Sequence, residues 1–201
     1  MDSTPCVTRV WRTWAKEHSL DPDHVVHVAH GQRTIETVRT VAPNLDAQRE
    51  TDRIEQREID DTDGLRVLPG AQTLLAALPL NRYTIVTSGT RQLATKRLQV
   101  AGLPVPPKMV TADDVTRGKP DPEPYLAGAA MLGFEPQSCL VFEDAPSGIL
   151  SAKSGGMMAL ALTTTYPPKE LSRADLIIAS LEAVRISVQA SGELMVTFRK
   201  V

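Results

Sequence analysis

The chain has 201 residues, of which 42% are hydrophobic, and a formal net charge of −2. This length allows one domain, or one domain with a substantial insertion, and is sufficient to bury a core. Because the charge is nearly neutral, the surface does not suit a polyanion, and we predict no nucleic-acid partner.

Cys6 and Cys139 are too few for a disulfide framework or a cysteine metal site, which is typical of a reducing compartment. No apolar run approaches the roughly eighteen residues that cross a bilayer. Residues 1–12 have neither the pattern of a signal peptide nor that of a basic transit sequence. We therefore expect a soluble, cytoplasmic protein with no membrane partner, and we expect it to be a monomer.

The first third of the chain is predicted to be helical and polar. Apolar residues recur at helical spacing between Val7 and Leu20, with charged residues between them. Further helices are predicted over residues 23–29, from residue 33 to a break at Pro43, and over residues 45–59. This block contains no convincing strand.

The pattern changes near Asp60, where short apolar runs begin to alternate with helical segments. Predicted strands cover residues 83–86, 109–110, 140–142, 157–162 and 176–178, and predicted helices cover residues 71–78, 91–101 and 124–132. This alternation predicts an α/β fold with a parallel sheet and right-handed crossovers. Residues 194–198 are predicted to add an antiparallel edge strand.

Two adjacent carboxylates, Glu143 and Asp144, end the strand predicted over residues 140–142. A buried parallel strand that stops at acids and turns into a helix places them at the carboxyl edge of the sheet, where open α/β folds bind ligands. Neighbouring carboxylates suit Mg²⁺, which needs only one or two protein oxygens. The alternative is that Glu143 is a solvated turn residue and Asp144 caps the next helix.

Two further positions carry groups that suit a phosphate. Ser88, with Thr87 and Gly89 beside it, offers a hydroxyl and open backbone N–H groups ahead of a predicted helix. Lys119 is a point charge on a Pro-rich loop that can reach the same crevice. A hydroxyl, an ammonium and Mg²⁺ that converge on one anion suit phosphoryl transfer. Taken alone, Ser88 can be a plain turn residue and Lys119 a solvated lysine.

Three motifs together resemble those of the haloacid dehalogenase-like phosphatases. They are T-S-G-T at residues 87–90, G-K-P-D-P-E-P-Y at residues 118–125 and F-E-D-A-P-S-G-I at residues 142–149. H-G-Q-R-T at residues 30–34, E-P-Y-L-A-G at residues 123–128 and T-T-T-Y at residues 163–166 are similar to one branch, the phosphatases of glycerol phosphate and of 2-deoxyglucose 6-phosphate.

This resemblance implies a Rossmann-like core over residues 63–201 and a small helical cap over residues 4–62. It implies Mg²⁺-dependent hydrolysis of a small phosphomonoester through an aspartyl-phosphate. The implied site residues are Ser88 for the phosphoryl group, with Thr87 and Gly89 beside it, and Lys119 as the bridge to the nucleophile. Asp144 with Glu143 would hold Mg²⁺ directly or through water, and His30, Gly31 and Arg33 would face the organic part of the substrate.

One departure from the family pattern is important. The first motif of the family, a strand that ends in D-x-D-G-[TV], supplies the nucleophilic aspartate, and no apolar strand precedes the predicted cap. The string D-x-D-G at residues 61–64 follows a polar, acidic segment, so we interpret it as a surface turn. Asp113 and Asp114 either cap a helix or help to orient Lys119, and the sequence leaves both possibilities open.

In this fold the first strand lies between the strands that carry Ser88 and Asp144. Without it, two buried edges expose backbone groups that each cost on the order of 1–3 kcal/mol, against a total stability of about 5–15 kcal/mol. We therefore expect the chain, which looks cut at its amino end, to be poorly soluble or partly unfolded, and inactive. The alternatives are a non-catalytic relative that binds a phosphorylated metabolite and a sugar-phosphate mutase.

Overall fold

The computed structural model describes residues 1–189 and 192–199. Residues 4–60 form four α-helices, as the apolar spacing predicts: α1 (Thr4–Glu17), α2 (Pro22–Ala29), α3 (Thr34–Val41) and α4 (Ala47–Asp60). Two of these helices begin at an aspartate whose carboxylate accepts hydrogen bonds from first-turn N–H groups, Asp21 for α2 and Asp46 for α4. Such caps satisfy N–H groups that have no partner inside the helix.

The four helices enclose a hydrophobic core of their own. Trp14, Val38 and Ile54 are fully buried in it, and Trp11 packs edge-on against Trp14 with ring centroids 5.6 Å apart. The indole N–H of Trp14 donates to Glu50 Oε2 at 2.8 Å, so the one polar atom of this side chain is satisfied inside the core. The tryptophans therefore hold the helices together. The division into a cap over residues 4–62 and a core over residues 63–201 stays a prediction, and it includes positions outside the described residues.

Within the described residues, a parallel sheet and four more α-helices follow. The helices are α5 (Ala71–Ala76), α6 (Arg91–Val100), α7 (Glu123–Leu132) and α8 (Pro146–Ser154), and the parallel strands are β1 (Leu140–Glu143), β2 (Met158–Leu162) and β3 (Leu176–Ile178). In the described part of the chain the strand order is β1-β2-β3, with Val141 opposite Ala159 and Ala161 opposite Ile177. Helices on both sides of the strands bury an almost continuous apolar run in β2, as expected of a parallel sheet.

The strands predicted over residues 83–86 and 109–110 are less regular than expected. They meet in a single parallel bridge, Val86 to Val110, in which the N–H of Thr87 donates to the carbonyl of Val110 at 2.9 Å and the N–H of Val110 to the carbonyl of Ile85 at 2.8 Å. The parallel orientation agrees with the prediction of a parallel sheet, whereas the two segments form one bridge instead of full strands. A strand that pairs on one side only is less well supported than one inside a sheet.

Residues 194–198 form a strand, β5 (Leu194–Phe198), and it is antiparallel as predicted. Its partner is β4 (Val184–Val188), a strand that was not predicted, and the two form a separate two-stranded sheet. The expectation of an edge strand on the parallel sheet is therefore wrong. Among the described residues, no helix has the length and apolar character required to span a membrane.

Candidate active site

The ammonium of Lys119 lies at the carboxyl edge of the sheet and is buried, with 6% of the residue exposed. Its Nζ atom donates to Glu143 Oε1 at 2.5 Å, to the hydroxyl of Tyr125 at 3.0 Å and to the carbonyl of Val86 at 3.4 Å. The interpretation of Lys119 as a solvated lysine is therefore wrong. These contacts also show that the ends of residues 83–86 and of β1 lie at the same edge.

Glu143 is held from both sides. Its Oε1 atom accepts from Lys119 and from the hydroxyl of Tyr125 at 2.7 Å, and its Oε2 atom accepts from the N–H groups of Asp144 at 2.8 Å and Ala145 at 3.0 Å. Burial raises the pKa of this carboxyl, but the charge and hydrogen bonds around it outweigh burial, with Lys119 first, and the pKa lies below its ordinary value.

These contacts change the prediction for Glu143. Four hydrogen bonds use the roughly four lone-pair positions of a carboxylate, so no acceptor remains for a metal ion. Glu143 therefore has no free acceptor for a direct bond to Mg²⁺, and its expected contribution through water stays a prediction. The alternative of a solvated turn residue is wrong, because the side chain is buried. Gly148, in the first turn of α8, packs against this carboxylate. A side chain at this position would not fit, because an added Cβ would collide with Glu143.

Asp144 differs from its neighbour, because one of its oxygens is available. Its Oδ2 atom accepts from the hydroxyls of Thr165 at 2.5 Å and Thr164 at 3.4 Å, whereas Oδ1 has no hydrogen-bond partner within residues 1–189 and 192–199. Burial, together with the nearby charge of Glu143, raises the pKa of Asp144. The side chain does not cap α8, which has no side-chain cap at its start, so that alternative is wrong.

The oxygen donors at this edge suit Mg²⁺ better than they suit a metal bound by a full protein cage. In the described part of the chain no group of three or more His, Cys, Asp or Glu side chains can hold a metal. Mg²⁺ does not require such a cage, because it keeps several waters and binds through one or two carboxylates. Asp144 fits this requirement, because it is half-buried and keeps one free oxygen. The charge of the neighbouring carboxylate, Glu143, is already matched by Lys119.

Ser88 lies at the same edge, and its hydroxyl donates to the carbonyl of Gly31 in the α2–α3 loop at 3.0 Å. The expectation of open N–H groups beside it is wrong at two positions. The N–H of Thr87 is used in the bridge to Val110, and the N–H of Gly89 donates to the Thr87 hydroxyl at 3.2 Å. The N–H groups on both sides of Ser88 are therefore used within the protein. The group that Ser88 offers a ligand is chiefly its hydroxyl.

The α2–α3 loop covers the edge that carries Ser88 and Asp144. Gly31 has a φ of +78°, and a Cβ there would lie 2.8 Å from Ala145 Cβ and from Ser147 Oγ, so only glycine fits. His30 Nε2 is buried without a hydrogen-bond partner in the described structure, and burial lowers the pKa of this ring.

Arg33 joins the same loop to the loop that carries Lys119. Its Nη1 atom donates to the carbonyl of Thr116 at 2.7 Å, and its Nε atom is buried without a partner in the part of the chain described. The neighbouring carboxylate of Glu36 accepts from the N–H of Gly118 at 3.2 Å. The three predicted loop residues, His30, Gly31 and Arg33, are therefore brought to the predicted edge.

The structure decides the role of Asp113 and Asp114. Asp113 accepts from the N–H of Arg91 at 2.8 Å and so caps α6 from outside the helix, and Asp114 bonds to Thr111 and to the Arg91 guanidinium. The first alternative is therefore correct. The string at residues 61–64 follows helix α4 instead of a strand, and Asp61 pairs with Arg9 at 2.6 Å, which agrees with its interpretation as a turn.

Two residues of the site were missed in the sequence. Tyr125 supports both Lys119 and Glu143, and Thr165 holds one oxygen of Asp144. Both lie inside motifs that the sequence already singled out, P-E-P-Y and T-T-T-Y. The run of three threonines after the buried strand β2 was the available signal for Thr165, whereas Tyr125 lies on a helix and gave no signal beyond its motif.

Comparisons with known proteins found related hydrolases. A family model for haloacid dehalogenase-like hydrolases matches residues 1–156. The chain is 39% identical over 204 residues to hexitol phosphatase A from Escherichia coli (strain K12), covering 98% of this chain and 93% of that protein. It is 34% identical over 199 residues to glycerol-1-phosphate phosphohydrolase 1 from Saccharomyces cerevisiae, and the match covers 92% of this chain and 79% of that protein. A hydrolase structure from Pseudomonas syringae shares 26% identity with a TM-score of 0.74, covering 89% of this chain and 88% of that one.

The chain belongs to the haloacid dehalogenase-like hydrolase family. Its relatives include a hexitol phosphatase and a glycerol-1-phosphate phosphohydrolase, so the branch predicted from the motifs is confirmed as well. The Rossmann-like α/β fold with a parallel sheet is confirmed by the structure and by its solved relatives.

Proposed function

We propose that the protein is a Mg²⁺-dependent phosphatase of small polyol or sugar phosphomonoesters, acting through an aspartyl-phosphate. The observation that carries this proposal is the buried ammonium of Lys119 at the same sheet edge as the Ser88 hydroxyl and the free Oδ1 of Asp144. A cationic group, a hydroxyl donor and a metal-binding carboxylate around one position match what a transferring phosphoryl group requires.

Each side chain has a distinct role in this proposal. The hydroxyl of Ser88 exchanges the carbonyl of Gly31 for a phosphoryl oxygen, and Lys119 neutralises charge on the phosphoryl group and the nucleophile. Asp144 would hold Mg²⁺, which supplies further charge neutralisation when bound. Glu143 acts through its neighbours, because it fixes the Lys119 ammonium on one side and the Asp144 backbone on the other.

The nucleophile is a separate part of the proposal. Among the described residues, the only carboxylate that pairs with Lys119 is Glu143, and its acceptor positions are used. We therefore propose that residues 1–201 alone do not form an aspartyl-phosphate, and that the reaction requires a strand ending in D-x-D-G beside Lys119. Binding of a phosphorylated metabolite does not require that strand.

The substrate class follows from the loop over the site. His30 Nε2 and Arg33 Nε are buried without partners in the described structure, so they can bind hydroxyl groups of a substrate at little cost. The names of two relatives, hexitol phosphatase A and glycerol-1-phosphate phosphohydrolase 1, support a polyol phosphate. In this proposal the cap over residues 4–62 provides the selectivity, and the core over residues 63–201 provides the chemistry.

The test is phosphate release from glycerol phosphate and from a hexitol phosphate, with Mg²⁺ and with EDTA. The chain of residues 1–201 is compared with an extended chain that carries an apolar strand and D-x-D-G-T ahead of Met1. We expect Mg²⁺-dependent release only from the extended chain, and loss of release when its first aspartate is changed to asparagine. Release from residues 1–201 alone would contradict the proposed nucleophile. Isomerisation of a sugar phosphate without release would favour a mutase, and metabolite binding without turnover in both chains would favour a non-catalytic relative.

A further inference from the structure

Residues 116–119, which we call the lysine loop, begin with three successive backbone N–H groups that donate to carboxylates. The first two donate to the two oxygens of Glu123, at 2.6 Å and 3.2 Å. The third, on Gly118, donates to Glu36 Oε1 at 3.2 Å. Hydrogen bonds to an ionised acceptor are stronger than those between neutral groups, so these two carboxylates determine where the loop lies.

The two carboxylates differ in how they reach the lysine loop. Glu123 is the first residue of α7 and follows the loop closely in the sequence, so its contacts belong to the local turn. Glu36 lies in the first turn of α3, 82 positions before Gly118. The contact of Glu36 is therefore a tertiary one, and it joins α3 to the segment that carries Lys119.

The start of α3 makes a second contact with the same loop. Arg33, which precedes the helix, donates from Nη1 to the carbonyl of Thr116 at 2.7 Å, and this Nη1 atom lies 3.6 Å from Glu36 Oε1. A Cβ added to Gly118 would lie 2.6 Å from Arg33 Cδ and from Glu36 Oε2. The backbone of the lysine loop therefore packs directly against these two side chains, with no room for a side chain between them.

The position of the Lys119 ammonium depends on both ends of its side chain. Glu143, Tyr125 and the carbonyl of Val86 hold the Nζ atom, and the contacts of the lysine loop hold the backbone. A misplacement of about 1 Å can cost about a hundredfold in rate even when its origin is far from the reacting atoms. The backbone contacts are therefore as important for placing the ammonium as the contacts of the ammonium itself.

The charge of Glu36 by itself would have the opposite effect on an anion. A carboxylate near a phosphate site repels phosphate, so its removal should strengthen phosphate binding. A carboxylate that holds the lysine loop supports phosphate binding through Lys119, so its removal should weaken phosphate binding. The sign of the change in affinity therefore separates a positioning role from a simple charge effect.

We propose that Glu36 is a positioning residue of the phosphate site, which holds the lysine loop from α3 and thereby keeps the Lys119 ammonium at the sheet edge. The same contact joins the α2–α3 loop, which is proposed to bind the hydroxyl groups of the substrate, to the residue that binds its phosphate. This inference rests on the proposed function in so far as Lys119 binds phosphate, whereas the hold of Glu36 on the loop is testable without a ligand.

The first measurement follows Lys119 in residues 1–201 without a ligand. The rate at which acetic anhydride acetylates Lys119 is determined by mass spectrometry, with the exposed Lys153 as the internal reference. Glu36→Ala removes the acceptor of the Gly118 N–H, whereas Glu36→Gln removes the charge and retains an oxygen acceptor. We expect about fivefold faster acetylation of Lys119 in Glu36→Ala only, which corresponds to the loss of one hydrogen bond.

The second measurement is calorimetric binding of inorganic phosphate in the presence of Mg²⁺. We expect Glu36→Ala to weaken phosphate binding by about fivefold, and Glu36→Gln to bind phosphate at least as tightly as the unchanged chain. In a chain that already carries Lys119→Gln, Glu36→Ala should have no further effect, because its influence passes through Lys119. Asp52→Ala, which removes an exposed carboxylate of α4, is the control and should leave phosphate binding unchanged.

Tighter phosphate binding in Glu36→Ala would overturn the proposal, and so would an unchanged acetylation rate of Lys119. An equal loss of phosphate affinity with and without Lys119→Gln would also overturn it, because Glu36 would then act independently of Lys119. If the unchanged chain does not bind phosphate, the proposed function fails, and the acetylation rates alone decide whether Glu36 positions Lys119.

Discussion

Replacement of Lys119 by methionine removes the cation from a buried ion pair. Lys119 and Glu143 each expose only 7% of their side chains, so the carboxylate would stay buried with hydrogen bonds from Tyr125 and the backbone but without a counter-charge. Breaking a buried pair in this way costs about 3–5 kcal/mol. We expect Lys119→Met to lower the free energy of unfolding by that amount at pH 7.

The pH dependence provides an independent check. In the unchanged chain the pKa of Glu143 lies below its ordinary value, so its stabilising contribution is present above that ordinary value and is lost as the pH falls through the folded pKa. Without Lys119, the charge that opposes the effect of burial is gone, so we expect the pKa of Glu143 to rise. The stabilising contribution of Glu143 is then present at low pH and is lost as the pH rises. The difference between Lys119→Met and the unchanged chain should therefore shrink from pH 7 to pH 5.

The assay is urea unfolding followed by circular dichroism. Lys153→Met is the matched control, because it removes the exposed pair with Asp175 and should cost no more than about 1 kcal/mol. Adding Glu143→Gln to Lys119→Met should recover part of the loss, since no buried charge remains. Equal losses for Lys119→Met and Lys153→Met would refute the reasoning.

Three further substitutions probe contacts outside this ion pair. Asp113→Ala removes the acceptor at the start of α6 and should cost about 1 kcal/mol in urea unfolding; an unchanged midpoint would show that the cap is dispensable. Gly31→Ala forces a Cβ to 2.8 Å from Ala145 Cβ, so it should speed tryptic cleavage of the α2–α3 loop, and unchanged cleavage would contradict the close packing. Thr165→Val should weaken Mg²⁺ binding in calorimetry because Asp144 loses its 2.5 Å hydrogen bond, whereas Thr165→Ser should retain it; equal affinities would argue against this positioning role.

The sequence predicted the helices and the parallel strands because their signals are local. Apolar spacing marked α1, and the acids after a short apolar run marked the end of β1. Ser88 and Lys119 were placed at the correct edge because carboxyl ends of parallel strands meet there. β4 was missed although residues 184–188, V-R-I-S-V, alternate strictly between apolar and polar, which is the pattern of a half-buried strand, so this strand could have been predicted.

The contacts within the site were not predictable in the same way. Nothing local in the sequence shows that Glu143 turns back under its own backbone to accept from Asp144 and Ala145, since this depends on Lys119 and Tyr125 arriving from other elements. The expectation of free N–H groups beside Ser88 was wrong in two ways: the N–H of Thr87 pairs with Val110 from a distant segment, and the N–H of Gly89 donates to the Thr87 hydroxyl within the turn. Pairing between distant elements decides which polar atoms remain available to a ligand.

The most direct test of the central claim is calorimetric binding of inorganic phosphate in the presence of Mg²⁺. Ser88→Ala, Lys119→Gln and Asp144→Asn are compared with Ser138→Ala, a substitution in the short turn before β1. We expect each of the first three to weaken phosphate binding by about tenfold or more, which corresponds to a lost charge-assisted hydrogen bond of about 1.5–3 kcal/mol. Phosphate affinity that is the same in all four variants would contradict a shared phosphate site at this edge.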